Sequence, residues 1–382
     1  MADGTYASLE NPALRDVGIS ARRTPQLPPP KPMGIDIVVS ADGHWELDAD
    51  IFYESFPARL KAQAPRVWFD EYWRVGTRGE NSFAEIETIT DLPTGLYDLD
   101  VRMEHMIAEG IDQEICFPQT VLGFLFHPDL EIREHIYRIY NEYVSHRSRL
   151  KGNRFHGVGV CSNWWDPSKV QGAVRQIADL GLKTLMVPIS AGKGLDGKDM
   201  SYGGPEMDIF WQAVAEVGLP VNFHIGENIK PETRGAMGSL MLQHLAPFRK
   251  PLGQMIFGGV FDRHPGLKVV FSEGGISWVP TALQDAEMIY DTHDSFLNPK
   301  PLHRPSQYWH QNCYATFQTD MLGLKLIDNV GADRAMWASD YPHTESTFGY
   351  NYSAMQQVID AVSPEAARQI LGGTARALYK LD

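Results

Sequence analysis

Met336-Trp337-Ala338-Ser339-Asp340-Tyr341-Pro342-His343 starts as a short apolar run and ends on a carboxylate followed by a Tyr-Pro break. An apolar strand that stops on an acid and then on proline delivers a charged group to the rim of a barrel or sheet. A single aspartate in that place is an ordinary turn former. Three other apolar runs end in the same way, however. Asp42-Gly43-His44 closes one, His224 another, and Glu273-Gly274-Gly275 a third. Four strand ends that each carry a carboxylate or an imidazole read as one metal site assembled from distant segments.

Working outward from these runs gives a regular rhythm. Ile35 to Ser40, Glu114 to Pro118, Phe155 to Cys161 and Thr184 to Ile189 read as strands. Pro220 to Ile225, Lys268 to Phe271, Tyr314 to Gln318 and Arg334 to Ala338 complete the set. Helices fill the intervals. Ile132, Ile136, Ile139, Tyr140 and Tyr143 recur at helical spacing over 131–150. Further helices are expected over Arg102–Glu109, Pro167–Leu180, Pro205–Val217, 236–262, Ser277–Tyr290, Met321–Asn329, 352–361 and 364–378. Strand and helix alternating eight times imply an α/β fold with a parallel sheet closed into a (β/α)8 TIM barrel over residues 34–382. Function then sits at the C-terminal ends of the strands. An open doubly wound sheet would need a glycine-rich phosphate turn after its first strand, and Ala41-Asp42-Gly43-His44-Trp45 is not one. Two segments stand outside the rhythm. Residues 1–33 form an extended Pro-rich N-terminal arm, and about 50–97, rich in Phe, Tyr and Trp, form an insertion after strand one. Arm and insertion together predict a homodimer or higher oligomer, with the same or a related chain.

The 382 residues are 43% hydrophobic and carry a net charge of -14, which argues against nucleic acid or an anionic membrane as partner. Three scattered cysteines form no CxxC pair, so neither a disulfide framework nor a cysteine zinc site is expected. With no apolar run of membrane-spanning length and no signal-peptide pattern, the expected location is the cytoplasm.

Asp42 and His44, two apart on a strand, point to the same side and can reach one ion. With His224 and Asp340 they make two imidazoles and two carboxylates. That set suits a divalent metal, zinc first, with manganese or iron as alternatives. Ser40-Ala-Asp-Gly-His44, His224, Phe271-Ser-Glu-Gly-Gly-Ile-Ser-Trp278 and Met336–Ser346 also resemble the amidohydrolase-related family, the branch of the amidohydrolase superfamily that includes aminocarboxymuconate semialdehyde decarboxylase. The resemblance implies a metal-dependent barrel that activates a water or holds an aromatic acid for loss of carbon dioxide. It makes Asp42, His44, His224 and Asp340 the metal ligands, with Asp340 also handling a proton.

Three departures from the family pattern follow. Glu273 stands where the decarboxylases usually carry an acid/base histidine. Leu47 stands where many relatives have a glutamate, with Glu46 one place earlier. Strand four holds no lysine for a carbamylated bridge. Glu273 joins Asp340 as a catalytic candidate. His343, Trp45 and Arg102 are the candidates for contact with a small-molecule substrate. His303 and His310, in a polar loop, receive no role. The expected function is a metal-dependent hydrolase or decarboxylase acting on a small aromatic organic acid. The alternatives are a non-heme iron or manganese oxygenase of the same superfamily, for which Glu46, Glu227 and Glu273 supply extra carboxylates, and an auxiliary metal-binding subunit.

Overall fold

The computed structural model describes residues 8–11, 13–14, 18, 23–25, 31–76, 92–125, 127–225, 236–245 and 247–382. Eight parallel strands run through it. Strand one is two pieces, Val39–Ser40 and His44–Trp45, and both pair with strand two, Gln113–Pro118. Strand three is also split. Phe155–Gly157 pairs with strand two, and Gly159–Val160 pairs with strand four, Leu185–Val187. Strands five (Val221–His224), six (Val269–Ser272), seven (Cys313–Phe317) and eight (Ala335–Trp337) follow in order, each bonded to the one before. The ring closes between strands eight and one. Ala41 N donates to Trp337 O at 3.0 Å, Asp340 N to Asp42 O at 2.9 Å, and Ser339 N to Ser40 Oγ at 2.9 Å. The result is a (β/α)8 barrel. Each strand is buried along its whole length, as both faces of a barrel covered by helices require.

The helices begin where side chains cap them. Asp98 accepts from the amides of Asp100 and Val101 and starts Leu99–Ala108. Asp129 accepts from those of Glu131 and Ile132 and starts Leu130–Ser148, whose last turn carries His146 and Arg147. Gly218, left-handed at φ 65, stops Asp208–Val217. Not every boundary follows the sequence pattern. Ser277 makes no side-chain cap for Trp278–Thr292. The Asp320 carboxylate reaches across from the end of strand seven and accepts from the amides of Ile276 and Ser277. His310, expected in a loop, lies in the helix Pro305–Asn312. The long helix expected over 364–378 is broken into Pro364–Arg368, a π turn at Gln369–Gly373, and Thr374–Tyr379. A Cβ on Gly372 would lie 2.6 Å from the Ile37 carbonyl, so the wide turn and its glycine let this helix approach the lead-in to strand one.

Within 50–97 the sequence shows no clean period, but the structure contains a short helix, Ala58–Gln63, and an antiparallel ribbon. Arg66–Phe69 pairs with Trp73–Gly76, Val67 opposite Val75. Four residues per strand are too few to show alternation in a sequence. Residues 77–91 of the insertion lie outside the described residues, as do Pro28, Pro29 and Pro30 of the arm. Among the described residues no helix is long and apolar enough to cross a membrane.

Candidate metal centre

The C-terminal ends of strands one, five, six and eight bring Asp42, His44, His224, Glu273 and Asp340 together, all at most 3% exposed. His224 Nε2 lies 3.3 Å from Asp42 Oδ1 and 3.2 Å from Glu273 Oε2. His44 Nε2 lies 3.8 Å from Asp42 Oδ1 and 3.5 Å from Asp340 Oδ1. The two imidazoles are oriented alike. His224 Nδ1 donates to Ile225 O at 2.5 Å, and His44 Nδ1 faces Pro118 O at 3.4 Å. A carbonyl only accepts, so the proton sits on Nδ1 and each Nε2 turns to the centre, as metal-ligating histidines are usually held.

Backbone conformation sets the acids. Among the described residues only Asn153, Glu273, Asp340 and Lys380 combine a side chain with positive φ, and two of these four are in the site. Glu273 (φ 74) and Asp340 (φ 57) turn sharply out of strands six and eight, which aims both carboxylates inward at a local backbone cost. Around them stand three residues the sequence reading passed over. Gln318 Nε2 donates to Asp340 Oδ2 at 3.1 Å, and Thr316 Oγ1 accepts from Glu273 N at 2.7 Å while lying 3.5 Å from Asp42 Oδ2. Gln119 Oε1 lies 2.8 Å from His343 Nε2. All three are at or just past the end of a strand, the same signal that marked Asp340.

The other candidates separate. His343 belongs to the cluster. Its ring stacks on His44 at 4.1 Å and 16°, and its Nδ1 is 3.5 Å from Glu273 Oε1 and 3.7 Å from Asp340 Oδ1. Trp45, one residue past His44, faces the opposite way. It is 2% exposed and packs under the Arg147 guanidinium, 5.3 Å from its ring centre. Arg102 is 1% exposed and spent inside the protein: Nη2 is 2.8 Å from Glu114 Oε2, Nη1 donates to His44 O, and the guanidinium lies 4.3 Å over the Tyr341 ring. Its place is beneath the site, bracing the strand ends that carry His44 and Asp340. Glu46 is equally occupied. Oε1 accepts from Leu47 N, and Oε2 accepts from Thr120 N and Thr120 Oγ1, while burial pushes its carboxyl up to about 7. Glu227 lies outside the described residues.

The electrostatics are those of a site built around positive charge. Burial, then Glu273 and Asp42, push the Asp340 carboxyl well above the usual carboxylate range. Burial also raises Glu273, against the pull of His224 and His343. Burial, then the neighbouring imidazoles of His343 and His224, hold His44 well below the ordinary histidine value. His224 goes the other way. Burial alone would lower it, but Asp42 and Glu273 outweigh burial and bring it to about 9. A protonated His224 is thus the counter-charge of the acids when no cation is bound. A divalent cation fits the donor set, and two orphaned atoms test that fit. His44 Nε2 and Asp340 Oδ1 are buried, face one another and have no hydrogen-bond partner. Buried polar atoms left unpaired are costly and rare unless an ion or water completes them. The ligand atoms fall into two groups, each within 4.8 Å: Asp42, His44 and His224, and His44, Glu273, Asp340 and His343.

The chain is similar to characterised proteins along most of its length. It is 24% identical over 303 residues to the 2-amino-3-carboxymuconate-6-semialdehyde decarboxylase of Dictyostelium discoideum, covering 76% of this chain and 79% of that one. It is 25% identical over 337 residues to the gamma-resorcylate decarboxylase of Rhodococcus jostii, covering 79% and 98%. Its fold matches a crystal structure of a dihydroxybenzoic acid decarboxylase from Polaromonas, solved with bound manganese and the inhibitor 2-nitroresorcinol. That match has a TM-score of 0.66, 17% identity, and coverage of 91% and 98%. The profile of the Amidohydrolase family matches residues 125–381, two thirds of the chain and six of the eight strands, together with Glu273, His224 and Asp340. By that match and the barrel that carries it, the chain belongs to the amidohydrolase family.

Proposed function

We propose that this chain is a divalent-metal-dependent enzyme that acts on a small aromatic acid, removing its carboxylate as carbon dioxide or hydrolysing it. Asp42, His44, His224 and Asp340 would hold the ion. The observation that carries this reading is the pair of buried, unpaired atoms, His44 Nε2 and Asp340 Oδ1, facing each other across the cluster. The names of the relatives favour decarboxylation within it. A bound cation would supply the positive charge that orients the substrate's carboxylate and an adjacent oxygen.

The chain's own residues do the rest. In decarboxylation the bond between ring and carboxylate breaks, its electron pair stays on the ring carbon, and a proton is delivered to that carbon. Glu273 is placed to hold that proton, because burial favours its neutral form. His343, between Glu273 and Gln119, orients the carboxyl and can return a proton to it. Phe117, fully buried against His224 at 4.3 Å, offers an apolar wall. Asp340 would take up the proton of the substrate's ring hydroxyl and return it to the product or, in the hydrolytic alternative, accept the proton of the attacking water. Zinc as the ion, a homodimer or larger assembly, and the division into arm (1–33) and barrel (34–382, with insertion about 50–97) belong to the same proposal.

Beside Asp42, His44 and His224, the carboxylates of Glu273 and Asp340 and the imidazole of His343 could hold a second ion, which supports a second reading, two redox ions and an oxygenation. One experiment separates the readings. The protein is stripped, reloaded with zinc, manganese or iron, sized by light scattering, and incubated with a panel of hydroxybenzoates. One ion per chain with metal-dependent carbon dioxide release is the expected result. Two ions with oxygen uptake favour the second reading, and no turnover with any metal or acid rejects both.

Metal loading itself should depend on pH. His224 binds a cation through the lone pair that its proton occupies up to about 9. Between about 6.5, the free-imidazole value, and 9, affinity should tighten roughly tenfold per pH unit, with one proton released per ion. Folding stability of the metal-free protein moves oppositely. A raised histidine contributes most below its unfolded value, and that contribution is lost as pH rises through about 9. The gain in Tm on adding metal should therefore grow with pH, and a flat gain across that window would show that His224 is not displaced.

A further inference from the structure

Among the described residues, Arg23 is a buried arginine whose hydrogen bonds all go to main-chain oxygens. It is 8% exposed and lies in the N-terminal arm, far in sequence from everything it touches except Gly18. Nη1 donates to Ser346 O at 2.6 Å and reaches Phe348 O at 3.4 Å, and Nη2 donates to Thr344 O at 2.8 Å. Its plane lies 5.8 Å from the centre of the Tyr350 ring. Three carbonyls of one loop, 344–350, are thus gathered by one guanidinium, a task suited to a rigid fork of five donors.

That loop continues the site. His343 N donates to Asp340 O at 3.0 Å, Ser346 N to His343 O at 3.1 Å, and Thr347 N to Ser339 O at 2.9 Å. Its far end is held separately, since Gly349 N donates to the Glu109 carboxylate. Gly349 also fits Arg23 closely. It sits at φ 86, and a Cβ there would lie 2.9 Å from Arg23 Cβ and 3.3 Å from Thr24 O. The arm makes a second contact at the same rim, where Asn11 Nδ2 lies 3.4 Å from Thr319 Oγ1, next to the Gln318 that bonds Asp340.

We infer that Arg23 is a positioning residue of the site: the N-terminal arm uses it to pin the loop after strand eight, and so to hold His343 and Asp340 at the cluster. This goes beyond the proposed reaction and holds for any chemistry at that rim. It predicts a local effect. Without the guanidinium three loop carbonyls lose their donors, so 344–350 opens more often while the barrel beneath stays closed.

The test uses the full-length chain as Arg23→Ala, Arg23→Lys and Gly349→Ala. Hydrogen exchange is followed by mass spectrometry in peptides spanning 340–351 and in peptides from strands four to six. Release of manganese to a chelator is timed on the same preparations. In Arg23→Ala, exchange over 344–350 should rise at least about tenfold with the strand peptides unchanged, and manganese should leave several-fold faster. Gly349→Ala, which displaces Arg23, should behave alike. Arg23→Lys, with one ammonium for three carbonyls, should fall between. Unchanged loop exchange in Arg23→Ala and Gly349→Ala overturns the inference. So does acceleration spread evenly over the barrel, which would make Arg23 a general stabiliser. Should the wild-type chain bind no manganese, the metal proposal fails while the exchange comparison still decides the role of Arg23.

Discussion

An Asp340→Asn protein should load metal to near the wild-type level and turn over about 10²–10⁴-fold more slowly. The backbone accepts the change. Asp340 sits at φ 57, where asparagine is among the few side chains tolerated, and its amide bond to Asp42 O at 2.9 Å is untouched. The side chain keeps its shape. Gln318, which now donates to Asp340 Oδ2, can rotate its amide by half a turn and accept from the new NH2. The remaining oxygen still faces His44 and a cation. What is lost is charge and basicity, on a carboxylate whose Oδ1 has no hydrogen-bond partner among the described residues. If Asp340 merely shaped the turn after strand eight, the variant would lose stability and keep its activity per folded molecule. Metal per chain, Tm and turnover measured on one preparation distinguish the two. Full activity in a metal-loaded Asp340→Asn protein would remove Asp340 from the chemistry.

His224→Ala should fail in a different order, losing metal first. The imidazole lies 3.3 Å from Asp42 and 3.2 Å from Glu273 and supplies a nitrogen at the centre of one candidate ligand group. Alanine deletes the donor, so affinity should fall by more than the 10–100-fold that partners outside the ligand set typically contribute. It also deletes the counter-charge of the metal-free site. Two buried acids then face each other with no cation, and removing one partner of a buried pair costs roughly 3–5 kcal/mol. The metal-free variant should accordingly unfold at a visibly lower denaturant concentration than metal-free wild type at pH 7. Both deficits should narrow at low pH, where the acids are protonated. A variant that retains its metal and its denaturation midpoint would show that His224 is neither ligand nor counter-charge.

The barrel was legible because its strands are buried on both faces and end on polar residues, which gives each an apolar run with a charged stop. Met336 to Asp340 shows this most clearly, and Asp42, His44, His224 and Glu273 repeat it. Arg102 shows the limit of such reading. On a helix of mixed character its guanidinium looks available. Only the fold places Glu114, His44 O and Tyr341 around it. Trp45 was misplaced for a simpler reason: in a strand the neighbour of an inward residue points outward. Gln119, Thr316 and Gln318 are uncharged, and an amide or hydroxyl at a strand end is too common in sequences to mark a site until an acid or imidazole is seen beside it. The π turn at Gln369–Gly373 and the ribbon of 66–76 are set by tertiary contact and by brief alternation. Neither leaves a period to read.

The closing of the barrel carries a kinetic consequence. The bonds that join strand eight to strand one link residues about 300 positions apart, and Ser339 to Ser40 spans 299. Contacts of such separation form late, because so much chain must be ordered before they are rewarded. The Asp42–Asp340 backbone bond is one of them, so the full set of candidate metal ligands meets only when the ring shuts. A cation therefore cannot template early folding of this chain. Held by the candidate ligands, it would act on the finished ring as a latch, slowing the first step of unfolding far more than it hastens assembly. Refolding rates should be nearly indifferent to added metal, while the lifetime of the closed state lengthens with it.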